Sequence, residues 1–83
     1  MNRDEVRKAF LELIRPHVRI PDPSVITESS LLVDDLKVNS TRFVDIILEA
    51  EDRFGIEIAD DDMQRFERVG NAIDFICERS VNA

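Results

Sequence analysis

The chain has 83 residues, 43% of them hydrophobic and 35% charged, with a formal net charge of -7 at pH 7. That length allows one small domain with one modest core. The charge argues against a sequence-independent grip on nucleic acid, which needs a basic surface, and against docking to an anionic membrane.

Scarce Gly and Pro and abundant charged residues make this a helix-rich composition. No apolar run is long enough to span a bilayer. The opening Met1-Asn2-Arg3-Asp4-Glu5 is too charged for a signal peptide, so a cytoplasmic protein is expected. Cys77 is the only cysteine, which agrees with a reducing compartment. With His17 as the only other soft ligand, no metal site is expected.

Asn2 and Glu5 form a capping-box pattern that opens a first helix over about residues 3–15. Val6, Ala9, Phe10, Leu13 and Ile14 recur on one face of it, and Pro16 ends it. His17, just beyond, reads as a solvated or capping residue. Residues 17–39 then form a long connection, and long loops in small domains tend to be functional. Ile26, Leu32 and Leu36 are the expected anchors, with Asp34 and Asp35 solvated.

The run from Asp35 to Asp45 changes abruptly from loop to amphipathic helix. Asn39 is a good N-cap. Ser40 is then the first helical residue, beside unpaired backbone donors and the positive end of the helix dipole. A phosphate ester on Ser40 would be favoured there. On these residues alone, an ordinary first-turn serine is the plainer reading. The second helix is expected over 40–54, with Phe43, Val44, Ile47, Leu48, Ala50 and Phe54 buried and Gly55 as a left-handed cap. Its polar face carries Asp45, Glu49, Glu51 and Asp52, with Arg42 and Arg53 at the ends.

Ile56-Glu57-Ile58 reads as an extended linker. Asp60 is the expected N-cap of a short third helix over 60–66, since Asp60-Asp61-Asp62 lacks the spacing and glycine of a calcium loop. Met63 and Phe66 are expected in the core. The last helix, 69–80, places Val69, Ala72, Ile73 and Ile76 on one face, with Phe75 beside it and Cys77 as a small packed side chain. Ser80 to Ala83 should fray.

Three features in this order resemble an acyl carrier protein over essentially the whole chain: a helix opening at a serine, Phe54-Gly55-Ile56-Glu57-Ile58, and Val69-Gly70-Asn71-Ala72-Ile73-Asp74-Phe75-Ile76 after an acidic turn. The resemblance implies an all-α four-helix bundle of acyl-carrier-protein type, with a short third helix and a long first loop. It implies a carrier rather than an enzyme, with 4′-phosphopantetheine, drawn from coenzyme A, on Ser40 between Asn39 and Thr41. The cargo would be acyl thioesters. The implied partners of this monomer are a phosphopantetheinyl transferase and acyl-loading and acyl-transfer enzymes with basic docking patches. They would meet Arg42, Asp45, Glu49, Glu51 and Asp52, with Asp60 to Asp62 as a possible extension. The family also holds its acyl chain between the helices. Phe43, Ile47, Phe66 and Ile73 could line that space, although core packing is the plainer role for each.

Several positions depart from the family pattern. Asn39-Ser40-Thr41-Arg42 stands where the family commonly has Asp-Ser-Leu followed by another acid. Lys37 replaces a common glycine, and Arg68 a hydroxyl cap of the last helix, which would then start less firmly at Gly70. Together these suggest a specialised lipid or secondary-metabolite pathway rather than housekeeping fatty acid biosynthesis. An aminoacyl or peptidyl carrier, or an unmodified acidic helical interaction module, would share the same bundle.

Overall fold

Asn2 opens α1 (Arg3–Ile14) with the reciprocal cap that its sequence predicts. Its Oδ1 accepts from the Glu5 N–H at 2.9 Å, and its own N–H donates to Glu5 Oε1 at 3.3 Å. This is a computed structural model, and it describes residues 2–80. The apolar stripe of α1 is buried throughout, with Val6, Phe10 and Ile14 fully so.

Pro16 ends α1 without breaking the chain's course. Arg15–His17 continue as one 3-10 turn, where a proline in the first positions costs no helix bond. A second 3-10 turn, Pro23–Val25, is capped by Asp22, whose Oδ1 accepts from the Ser24 N–H at 3.0 Å. The remaining helices are α2 (Ser40–Phe54), α3 (Asp60–Met63) and α4 (Val69–Ser80). Helix α1 packs against both α2 and α4. At the centre, Phe10, Phe66 and Phe75 meet edge to face, with centroids 6.4 Å and 5.3 Å apart. That is the arrangement aromatic quadrupoles favour.

The first loop is pinned along its length. Leu32, Leu36 and Val38 are buried, while Ile26, an expected anchor, is only half-buried. Asp35 is more than a solvated turn residue, because its carboxylate accepts from the Leu31 N–H at 2.8 Å. A short seam joins the loop to the start of α4. The Leu32 N–H donates to Glu67 O at 3.0 Å, Val69 to Ser30 O at 3.0 Å and Gly70 to Glu28 O at 2.8 Å.

That seam corrects the expectation of a weak start to α4. Asn71 Oδ1 accepts from the Arg68 N–H at 3.2 Å, and the Arg68 guanidinium donates to Ser29 O at 2.6 Å. Gly70 lies close to the loop, since a Cβ there would be 3.1 Å from Glu28 O, a tighter contact than most Cβ atoms make. Ser80 also does not fray. It is buried, and its hydroxyl donates to Ile76 O at 2.7 Å. The expectation for 81–83 lies outside the described residues.

Helix α3 is shorter than expected and begins after Ala59, so Asp60 is its first residue rather than its cap. The Asp62 carboxylate reaches back to the Ala59 N–H at 3.2 Å. Beyond Met63 the chain tightens into i→i−3 bonds, Arg65 to Asp62 O and Phe66 to Met63 O, which bring Phe66 into the core.

In α2 the buried residues are Ile46, Ile47, Ala50 and Phe54, with Phe43 half-buried. Val44 and Leu48, expected inside, are 46% and 58% exposed. Residues 43, 46, 47, 50 and 54 follow the i, i+3, i+4, i+7, i+11 spacing of one helical face, which leaves 44 and 48 on the other. Ile56 and Ile58 are buried without forming a strand.

Candidate functional site

Asn39 adopts an extended conformation, and its Oδ1 accepts from the Arg42 N–H at 2.9 Å. That single bond fixes where α2 begins. Ser40 becomes the first helical residue and is exposed, as is Thr41. Arg42 supplies the N–H that Asn39 takes, so the N–H groups of Ser40 and Thr41 lie at the helix tip beyond its reach. The approach to Ser40 is rigid. Val38 is buried, its N–H donates to Leu32 O at 3.0 Å, and Leu36 donates to Leu31 O at 3.0 Å. A solvent-facing hydroxyl is therefore held on a fixed loop at the positive end of a 15-residue helix. A phosphodiester fits there, with free backbone donors beside it and no acid in the first turn of α2.

Among the described residues no hydrogen bond joins Ser40 to a base that would activate it. The chain's one histidine is engaged elsewhere: His17 Nε2 lies 2.6 Å from Glu49 Oε2, more than two helical turns along α2 from Ser40. His17 is not solvated, as its sequence position suggested, but buried. Burial also pushes the Cys77 thiol above its ordinary range, which disfavours the thiolate.

The predicted acidic face is divided by the structure. Asp52 is exposed, Asp45 is half-buried, and Glu49 is shared with His17. Glu51 has a structural task, since its carboxylate accepts from the Ile58 N–H at 2.8 Å and holds the segment after Gly55. Two members of this surface escaped the sequence reading. Val44 and Leu48 stand exposed beside the acids, four residues apart on the flank that also carries Thr41. The signal was the surplus of apolar residues in Phe43-Val44-Asp45-Ile46-Ile47-Leu48, more than one helical face can bury.

Ile47, Phe66 and Ile73 are packed in the core, with Phe43 half-buried against it. A groove of about 530 Å³ instead lies between α1 and the first loop, lined by Leu11, Arg15, Pro23 and Ile26 among others. Among the described residues no group of three or more His, Cys, Asp or Glu is placed to hold a metal ion. No helix there is long and apolar enough to cross a membrane.

The described residues form a small helical bundle with an exposed serine at the capped tip of α2. Residues 8–76 match the family model described as a phosphopantetheine attachment site. The chain is 34% identical over 83 residues to an acyl carrier protein of Acidothermus cellulolyticus, covering 100% of this chain and 98% of that one. It is 36% identical over 76 residues to an acyl carrier protein of Phenylobacterium zucineum, covering 92% and 90%. The solved acyl carrier protein from Enterococcus faecalis superposes with a TM-score of 0.80 at 36% identity, covering 96% of this chain and all of that one. The chain belongs to the acyl carrier protein family, whose members are carriers rather than enzymes and bear covalent 4′-phosphopantetheine.

Proposed function

We propose that Ser40 bears the 4′-phosphopantetheine through a phosphodiester and that acyl groups travel as thioesters on its terminal thiol. The observation that carries this reading is the exposed Ser40 at the capped tip of α2, held on a pinned loop. An arm anchored there swings through solvent while the bundle stays fixed, so one cargo can reach several active sites in turn. Asn39 shapes the helix start, and Thr41 flanks the attachment point. Partner enzymes with basic patches dock along Asp45, Glu49 and Asp52, with Val44 and Leu48 as apolar contacts. Glu51 contributes charge to that face but is tied to the backbone of Ile58. Asn39, Thr41 and Arg42 support service in a specialised lipid or secondary-metabolite pathway.

The test is intact mass after incubation with coenzyme A and a broad-specificity phosphopantetheinyl transferase. The expected result is a gain of one phosphopantetheine that is absent in Ser40→Ala. No gain under conditions that modify an ordinary carrier, together with an unmodified mass for the protein from its own cells, would overturn the assignment.

A further inference from the structure

Arg42, Asp45, Glu49 and Asp52 recur at i, i+3, i+7 and i+10 along α2, so they share one flank of the helix. At the rise of an α-helix the line they make is about 15 Å long. Along it the charge changes sign once, from positive beside Ser40 to negative beyond. Lys37 puts a second positive charge on the other side of Ser40.

These two cations are not drawn into the fold. Arg3, Arg7, Lys8, Arg53, Arg65 and Arg79 each pair with a carboxylate. Lys37 and Arg42 pair with none among the described residues, and Asp45, one turn from Arg42, leaves it free. In a chain with net charge -7, carboxylates are not in short supply. The other cations without a carboxylate lie off this line: Arg15 and Arg19 follow α1, and Arg68 is held by Ser29 O. Lys37 also occupies a left-handed backbone conformation, φ 59°, where glycine is favoured and a side chain is strained. A lysine three residues before Ser40 thus occupies a position whose backbone conformation favours glycine.

We infer that the docking face is bipolar. The enzymes that serve this carrier set an acidic group against Lys37 and Arg42, at the mouth that receives the arm, and basic groups against Asp45, Glu49 and Asp52. A partner that is basic throughout meets like charge at the Ser40 end, and like-charge contact suppresses wrong partners. Lys37 and Arg42 are then specificity-determining residues. The inference rests on the carrier reading of Ser40.

The experiment compares the full chain with the combined variant Lys37→Glu, Arg42→Glu as substrates of a transferase whose docking patch is basic. Initial rates of mass gain are read at low and high salt, after circular dichroism shows that both fold alike. The variant is expected to be modified at least about threefold faster at low salt, with the advantage lost at high salt. Reversing one basic residue at the arm-receiving end of the transferase's patch to glutamate should speed the wild type and slow the variant. Equal rates for wild type and variant, or a difference indifferent to salt, would overturn the bipolar face while leaving the carrier intact. Failure of both proteins to gain mass, together with an unmodified mass for the protein from its own cells, would instead overturn the carrier reading on which the inference stands.

Discussion

His17 Nε2 and Glu49 Oε2 lie 2.6 Å apart across 32 residues of sequence and join the end of α1 to the middle of the α2 acidic face. A carboxylate can only accept, so the imidazole donates from Nε2. Nδ1 is left buried and without a partner among the described residues. Glu49→Ala then leaves Nε2 without its partner as well. The expected loss is about 1–3 kcal/mol by urea denaturation, the cost of an unmet buried polar group. Glu49→Gln keeps an acceptor and should lose less. Asp52→Asn, at an exposed site with no such bond, should leave stability unchanged and flatten only the salt dependence of transfer to basic partners. If Glu49→Ala and Asp52→Asn proved equally stable, His17 would not be fastened as its geometry indicates.

The backbone at Lys37 gives a prediction of the opposite sign. An L-residue at φ 59° is strained by its Cβ, and glycine is not. Lys37→Gly should therefore raise stability by up to about 1 kcal/mol, offset in part by the larger entropy of the unfolded glycine chain. The urea midpoint should move up with an unchanged m-value. The same variant removes a charge beside Ser40, so a gain in stability accompanied by altered modification kinetics would mark Lys37 as kept for docking.

Helix boundaries were legible because their signals are local. Asn2 with Glu5, Asn39 before Ser40, and Gly55 after Phe54 each act within a few residues, and the structure uses all three as read. The place of Ser40 as the first residue of α2 was legible for the same reason. What the sequence concealed depends on distant partners. The partner of His17 lies on another helix, and Glu28 to Leu32 meet the start of α4 only in the folded chain. The α2 stripe was ambiguous for a different reason. Val44, Ile46, Ile47 and Leu48 are all apolar, so periodicity alone offered two faces, and only packing against α1 selects Ile46 over Val44. Glu51 was read as part of the docking face, and Asp62 as a helix-start acid and an extension of that face; their backbone acceptor roles, toward Ile58 and Ala59, need the turn geometry first.

The two glycines should respond differently to alanine. At Gly55 the obstacle is conformational: φ is 63°, and a Cβ would meet nothing within 4 Å. The expected cost of Gly55→Ala is about 1 kcal/mol. At Gly70 the obstacle is contact, with Glu28 O at 3.1 Å and Glu28 Cβ at 3.2 Å from the added atom. Gly70→Ala must push the first loop away from α4 and strain the 2.8 Å bond from its N–H to Glu28 O. Loss should reach about 1–3 kcal/mol, the range for overpacking a close contact. Hydrogen exchange separates the two. Gly70→Ala should speed exchange at Val69 and Leu32 along the seam, while Gly55→Ala should affect Ile56 and Ile58.

Among the described residues two carboxylates are held low in the fold: Asp22, by its bonds from Ser24, and Glu28. Its hydrogen bonds to Arg3, at 2.6 and 3.0 Å, hold its carboxyl below the ordinary value of 4.5, and the same guanidinium reaches Asp74 at 3.0 Å. A carboxylate whose folded pKa is depressed stabilises the fold fully above its unfolded pKa and loses that contribution as pH falls through the folded value. The pair is exposed to solvent, so the effect is modest and weakened by salt. Stability measured by urea should therefore drop as pH is lowered below about 4.5, with Glu28 supplying part of the slope. Glu28→Gln should flatten that part of the profile and lower the plateau near neutral pH. Arg3→Ala should flatten the same part, because it removes the guanidinium that holds the Glu28 carboxyl low. An unchanged acid limb in Glu28→Gln would show that the bidentate contact between α1 and the first loop contributes nothing in solution.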